Sequence, residues 1–291
     1  MIESLNRFWQ VSVYDQKNGM SESRTHYLDP WCEMMTSIFI SNSDYKVEGP
    51  TIEGATIEVM RNFLGKENNC KKSLDSLIGT CAYKGVAKRV LQATAGGDTG
   101  LWAGMLLEGV KALRQSRLFV WEREGFDFTP YLPLIENDFR DSCIRFSTPE
   151  GMQSILNLSH LLEHTRGDLL FSRYQYCFLQ SQNLRQLVTV GLADSFHEMT
   201  LNLELIDTKI TSSSTKIIRA PQEICFEAEH KGNNLKGKKL SAVAANEWAR
   251  ELRGSDSCTH LADLAREAAS SLNYWYIQKK NNSVHQNFLV A

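Results

Sequence analysis

Cys258 and His260 are the pair of side chains best suited to chemistry, because a thiol and an imidazole lie two residues apart beside a predicted helix start. Asp256 or Ser257 supplies a side-chain oxygen that can cap this helix. Cys258 is then expected in the first helical turn, where unpaired backbone N–H groups and the helix dipole favour a thiolate. Since a thiolate binds metals or attacks electrophiles, the pair predicts one of these two chemistries.

Two further side chains extend this pair to a candidate metal site. His197 follows a predicted strand, and Cys225 lies near the start of a predicted helix. With Cys258 and His260 they form a mixed nitrogen and sulfur set, which suits zinc, iron or copper. The sequence therefore predicts one site that holds a metal ion, iron or zinc. Its role is either accessory metal or iron–sulfur binding, or small-molecule chemistry at the metal.

Other interpretations of the same residues remain open. One is a metal-free enzyme in which Cys258 is the nucleophile, His197 or His260 is the general base, and Arg219 holds an anionic substrate. Another is a partner-binding accessory subunit that uses the aromatic stretch at residues 121–131. Cys225 also has a structural interpretation, because a free cysteine among apolar neighbours is typical of a small buried hydrophobe.

The elements that must position the site recur in the chain at one constant offset. The matched pairs are Arg61 with Arg219, Gly79 with Gly237, Val90 with Trp248, Asp98 with Asp256, and Leu106 with Leu264. Such self-similarity predicts an internal repeat. At the places of Cys258 and His260 the first copy has other residue types. Gly100 and Trp102 stand there, so only the second copy is predicted to carry the site.

The repeat predicts an α+β fold of two tandem copies of a small antiparallel sheet packed by helices, related by a pseudo-twofold axis. Residues 1–115 are the expected degenerate first copy, 116–165 an aromatic connector and helix, and 166–291 the second copy with the site. Alternating apolar residues predict strands at 34–41, 55–60, 169–179, 187–194 and 199–206. Helices are predicted at 61–77, at 100–115, from Pro149 to about residue 164, and after Cys258. The last of these should bury Leu261, Leu264, Ala265, Ala268 and Leu272.

The second half also resembles a bacterial family of unknown function, in residues 173–272. The shared features are Asp194 with His197, Pro221 with Cys225, Leu235-Lys236-Gly237, and Cys258-Thr259-His260-Leu261. The order of strands and helices is also similar to the iron–sulfur scaffold fold of the NifU and IscU type. In that resemblance Cys258 matches a scaffold cysteine and Gly237-Lys238-Lys239-Leu240 matches a Gly-Lys-Ser-Leu turn. Because one of three scaffold cysteines is retained, the resemblance implies the fold more than cluster assembly.

Composition limits the classes of partner. The chain has 291 residues, 42% of them hydrophobic, and a formal net charge of −2. This balance predicts a globular protein that binds a small molecule or metal, with a protein partner left open, and it disfavours nucleic acid or an anionic membrane. Seven cysteines without paired spacing, and an amino terminus without a signal-peptide pattern, predict the cytoplasm.

Overall fold

The computed structural model describes residues 3–42, 50–62, 70–95, 99–123, 125, 137, 139–153 and 167–288. The strands in these residues are β1 (Glu3–Asp15), β2 (Met20–Leu28), β3 (Cys32–Ser41), β4 (Ile52–Asn62), β5 (Cys70–Ser73), β6 (Leu169–Gln182), β7 (Arg185–Asp194), β8 (Glu198–Ile206) and β9 (Lys209–Arg219). The α-helices are α1 (Val86–Ala93), α2 (Thr99–Arg123), α3 (Pro149–Gln153), α4 (Ala244–Glu251) and α5 (Thr259–Phe288). Segments of 3₁₀ helix lie at Asp75–Leu77, Arg145–Ser147 and Glu223–Leu235.

All of these strands belong to one nine-stranded antiparallel sheet. The order is β5-β4-β3-β2-β1-β6-β7-β8-β9. The expected fold class, two tandem small sheets packed by helices in the NifU and IscU manner, is therefore wrong. Alternation of apolar residues identifies a strand and its buried face but carries no information about the strand that will pair with it. For β1 that partner lies far away in the sequence, at β6.

The chain divides into two compact units. One contains Phe8–Leu132 and Leu158–Tyr174, and the other contains Met1–Arg7, Pro133–Asn157 and Gln175–Ala291. The domain boundaries expected from sequence, at 115 and 165, stay a prediction, as does the internal repeat.

No helix in the described part of the chain is long and apolar enough to cross a membrane.

In the unit that begins at Phe8, α2 packs against β2 and β3. The buried cluster at this contact contains Trp9, Tyr27, Cys32, Met34 and Met105, and the partly buried Trp102 packs against it. Gly109 permits the close approach of helix and strand, because a Cβ there would lie 3.0 Å from the hydroxyl oxygen of Ser23. Trp102, the residue that the offset matches to His260, is therefore a packing residue.

In the unit that contains most of the carboxyl-terminal half, α5 packs against β7, β8 and α4. The predicted apolar face of α5 is confirmed, because its side chains are fully buried: Leu261, Leu264, Ala265, Ala268 and Leu272. The 3₁₀ segment Glu223–Leu235 lies along β9, where the hydroxyl of Ser213 donates to the carbonyl of Gly232 at 2.6 Å. Gly232 must stay small, because a Cβ there would lie 2.6 Å from the Thr215 side chain.

The helix expected at 61–77 is wrong where the structure describes that range. β4 continues to Asn62, Cys70–Ser73 forms β5, and Asp75–Leu77 is a 3₁₀ turn. β5 pairs with β4 through Val59 opposite Cys70. The sequence of β5, Cys-Lys-Lys-Ser, has no alternation of apolar and polar residues, so it lacks the pattern that identifies the longer strands.

The helix starts at α2 and α3 agree with the sequence analysis, with α3 beginning at Pro149. The rest of that last predicted helix, from residue 154, lies outside the described residues. α2 continues to Arg123, so the first residues of the expected aromatic connector are helical. Most of the remaining connector, residues 126–136, also lies outside the described part.

Candidate metal centre

The short connection between β7 and β8 is shaped by the Asp194 side chain. Its Oδ1 accepts hydrogen bonds from the backbone N–H groups of Phe196 at 2.8 Å and His197 at 2.7 Å. The backbone N–H of Asp194 donates to the carbonyl of His197 at 2.8 Å. An aspartate that accepts from the backbone two and three residues later stabilises a tight turn. The turn holds the imidazole of His197 beside the carboxylate of Asp194.

Arg219 fixes the same turn from the neighbouring strand. β8 pairs with β9 so that Arg219 lies opposite Glu198. The guanidinium donates to the carbonyl oxygens of Asp194 at 2.7 Å, Ser195 at 3.1 Å and His197 at 3.2 Å. Arginine presents several N–H donors in a rigid plane, which suits three acceptors on one turn. The structure therefore places Arg219 against the backbone of the turn, and its role in holding an anionic substrate stays a prediction.

The amino-terminal end of α5 supplies the second imidazole. Cys258 directly precedes this helix, and its carbonyl accepts from the backbone N–H groups of Leu261 at 3.1 Å and Ala262 at 3.3 Å. The hydroxyl of Ser257 donates to the carbonyl of Leu252 at 2.6 Å and so ties the helix start to the preceding turn. The helix begins at Thr259, so Cys258 lies directly before it and His260 lies in its first turn.

Asp194, His197 and His260 converge at one place. The Nδ1 of His197 lies 3.2 Å from Oδ1 of Asp194, and the Nε2 of His260 lies 3.8 Å from Oδ2. The two imidazole rings are 3.9 Å apart between centroids and tilted by 32°. The side chain of Asp194 is 0% exposed, and those of the two histidines are 13% and 12% exposed.

This group can hold a metal ion, because one ligand atom from each of the three residues lies within 4.8 Å of the others. Two ligand atoms that bind one tetrahedral zinc ion at its usual bond lengths lie about 3.4 Å apart. The separation of 3.2 Å from Nδ1 of His197 to Oδ1 of Asp194 and that of 3.8 Å from Nε2 of His260 to Oδ2 are close to this value, and they involve the two different oxygens of the carboxylate. Two imidazoles and a carboxylate are also a donor set that zinc and ferrous iron accept.

Cys258 lies next to the His260 ring, on the side that faces away from Asp194. Its Sγ lies 3.7 Å from Nδ1 of His260, whereas the Nε2 of the same ring faces Asp194. Burial raises the pKa of the Cys258 thiol to about 12, and this outweighs the hydrogen bonds from the backbone of His260 and Leu261 that lower it. The thiolate expected at the helix start is therefore wrong, because Cys258 is only 7% exposed and desolvation outweighs the favourable hydrogen bonds.

Cys225, the fourth predicted ligand, lies in the 3₁₀ segment Glu223–Leu235 and is buried. Burial also raises the pKa of its thiol. Among the described residues, the donor group consists of Asp194, His197 and His260. The structure thus brings His197 and His260 together with Asp194 and places Cys258 beside His260, with Cys225 within electrostatic reach of Cys258.

Asp194 belongs to the resemblance to the family of unknown function, but it is not among the four ligands predicted from sequence. The signal that identifies it is local: an aspartate at the end of a strand, three residues before a histidine, is the pattern of a turn that brings the two side chains together. Its closeness to His260 has no such signal, because α5 comes much later in the sequence.

The comparisons with known proteins cover this region. A protein family of unknown function, DUF2889, matches residues 179–272. No curated protein and no solved structure matches the chain. The matched segment runs from the end of β6 into α5, so it contains the Asp194 turn, Arg219 and both residues of the Cys258–His260 pair. The expected resemblance to a family of unknown function in the second half is confirmed.

Proposed function

We propose that the protein binds one divalent transition-metal ion, zinc or ferrous iron, through Asp194, His197 and His260, and that small-molecule chemistry takes place at this metal. The observation that carries the proposal is the convergence of one carboxylate and two imidazoles, all at most 13% exposed, at the junction of the β7–β8 turn and α5. These donors are mounted on a hydrogen-bonded turn and a helix start, which are rigid supports.

Among the residues that the structure describes, three ligands converge, and this number favours chemistry over a structural role. Structural zinc sites have four protein ligands, whereas catalytic zinc sites have three and leave a position for water or substrate. Two histidines and one carboxylate with open positions are also the ligand set of many ferrous oxygenases. A metal with an open position would activate a bound water or polarise a substrate oxygen.

The accessory role in iron–sulfur chemistry has less support. Iron–sulfur clusters are held mainly by cysteine thiolates. The donors that converge here are nitrogen and oxygen atoms, and burial raises the pKa values of the Cys225 and Cys258 thiols. The same burial disfavours the metal-free alternative, because a nucleophilic cysteine must be accessible and ionised.

Metal binding by the purified chain tests this proposal. The full chain is stripped of metal, then dialysed against zinc, or against ferrous iron without air, and bound metal is measured by elemental analysis. We expect one ion per chain for the wild type. Asp194→Asn, His197→Gln and His260→Gln should each weaken binding by more than the roughly 10- to 100-fold typical of residues outside the ligand set.

His26→Gln is the matched control. His26 also pairs with a carboxylate, with its Nε2 3.0 Å from Oε1 of Glu33, but it lies on β2. This variant should bind metal as the wild type does. A wild-type protein that binds no ion, or variants of all three ligands that bind as tightly as the wild type, would show that the proposal is wrong.

A further inference from the structure

His260 has both ring nitrogens engaged, and the two face different groups. Nε2 faces the Asp194 carboxylate at 3.8 Å, and Nδ1 faces the Cys258 sulfur at 3.7 Å. Histidines that bind metals almost always form a hydrogen bond through the other ring nitrogen, which fixes the tautomer and the orientation of the ring. In this site the sulfur of Cys258 stands where that outer partner is required.

We propose that Cys258 is a positioning residue that holds the His260 ring through Nδ1, so that Nε2 is directed to the metal. The inference rests on the proposed metal site and assigns Cys258 a role outside the ligand set. When Nε2 binds a metal, Nδ1 carries the ring hydrogen and the sulfur accepts the hydrogen bond.

The position of the sulfur argues against direct ligation. A zinc–sulfur bond is about 2.3 Å long, and an ion on Nε2 lies on the opposite side of the imidazole from a group bound at Nδ1. The donor group of Asp194, His197 and His260 is formed without this sulfur. A sulfur that contacts Nδ1 is therefore placed to orient the ring and not to complete the coordination.

Cys258 is itself held firmly enough to orient a neighbour. Its carbonyl accepts two backbone hydrogen bonds from the first turn of α5. Its thiol is directed into the protein, with the residue 7% exposed, so bulk water does not compete for the hydrogen bond. The preceding Ser257 is fully buried and bonded to Leu252, which fixes the backbone on the other side.

The hydrogen bond can be tested in metal-free protein by nitrogen NMR of the histidine rings. Cys258→Ala should change the His260 Nδ1 resonance, and Cys258→Ser should retain most of the wild-type value because a hydroxyl also forms hydrogen bonds. The His26 ring, which pairs with Glu33 and lies on β2, serves as the control that should stay unchanged. An unchanged His260 resonance in Cys258→Ala would overturn the inference, whether or not the protein binds metal.

The second measurement uses cobalt(II) as a spectroscopic substitute for zinc. If Cys258 only positions His260, cobalt-loaded wild type should lack the near-ultraviolet sulfur-to-cobalt charge-transfer band. Cobalt affinity should fall by roughly 10- to 100-fold in Cys258→Ala and by much less in Cys258→Ser. A charge-transfer band that disappears in Cys258→Ser would make the sulfur a ligand and overturn the inference, while the proposed metal function would stand. Absence of cobalt binding by the wild type would instead refute the metal site.

Discussion

At the scale of single residues, Asp194 has two separable roles in the site. Oδ1 accepts the two backbone hydrogen bonds that shape the turn, and the carboxylate faces both imidazoles, His197 through Oδ1 and His260 through Oδ2. An asparagine retains an oxygen that can accept the turn bonds, but it is neutral and therefore a weaker metal ligand. Alanine removes both roles.

Comparison of Asp194→Asn with Asp194→Ala therefore separates the turn from the metal. Both variants should lose metal binding, as measured by dialysis. In metal-free buffer the alanine variant should be less stable than the asparagine variant by about 1–3 kcal/mol, because backbone donors lose their acceptor. Thermal or urea unfolding of metal-free protein measures this difference. Equal stability of the two variants would mean that the carboxylate does not support the turn.

The cysteine thiols give a second prediction at this scale, and it reverses the reactivity expected from sequence. Cys258 is 7% exposed and its pKa is raised to about 12, so iodoacetamide should modify it slowly in the native protein. Cys70 and Cys81 are partly exposed and should react first. Mass spectrometry of peptides after timed alkylation gives the order, and urea-unfolded protein is the control in which the three rates should converge. Fast native labelling of Cys258 would contradict the buried position.

At the scale of elements, the strands and helices that carry the site could be predicted, but their meeting point could not. Alternation predicted β7 and β8, and helical spacing predicted the buried face of α5. His197 and His260 were accordingly expected near element ends. Asp194 is one of 34 acidic residues, and its place three residues before His197 is a local signal for the turn, but its position beside His260 follows from the packing of α5 against β7 and β8. No local sequence pattern predicts which elements that are distant in the chain will pack together.

Arg219 provides the prediction that belongs to this scale, because it joins the end of β9 to the β7–β8 turn. Arg219→Ala should weaken metal binding by roughly 10- to 100-fold, since the turn that carries two ligands loses its outer support. Calorimetric titration with zinc measures the affinity.

Arg61→Ala is the matched control for Arg219→Ala. Arg61 is at the end of β4, is similarly exposed, and has its Nε 2.9 Å from Oε2 of Glu33. It should leave zinc affinity unchanged. If Arg219→Ala keeps full zinc affinity but loses binding of an anionic small molecule, the anion-holding role predicted from sequence is correct and the positioning role is wrong.

At the scale of the whole molecule, the sheet shows what sequence periodicity leaves undetermined. Most strands were predicted in place, yet the two small sheets expected from the offset are one nine-stranded sheet. Each separate sheet would have exposed two edges of unpaired backbone groups, and strands that pair at an edge remove such groups from water. The choice among possible edge pairings depends on the entire fold, so the elements were predictable and the sheet order was not.

Stability at alkaline pH tests the core that supports α5. Cys177 on β6 is fully buried, and burial raises the pKa of its thiol from the ordinary 9.0 to about 12. The charge of Glu267 adds to this rise. The hydrogen bond with Ser271 and the charge of Arg7 oppose it. Between these two values the unfolded thiol has lost its proton and the folded thiol keeps it. Unfolding then releases a proton, so rising pH favours the unfolded state.

The stabilising contribution of this thiol is therefore complete below pH 9 and is lost as the pH rises from about 9 through about 12. In this window the free energy of unfolding should fall by about 1.4 kcal/mol per pH unit for each such thiol. Cys177→Ala should make this fall shallower by that amount, measured by urea unfolding at a series of pH values.

Val188→Ala on β7 also shortens a buried side chain but removes no titrating group. It should lower stability equally at all pH values, and a Cys177→Ala variant with the wild-type slope would show that this thiol is not desolvated in the folded protein.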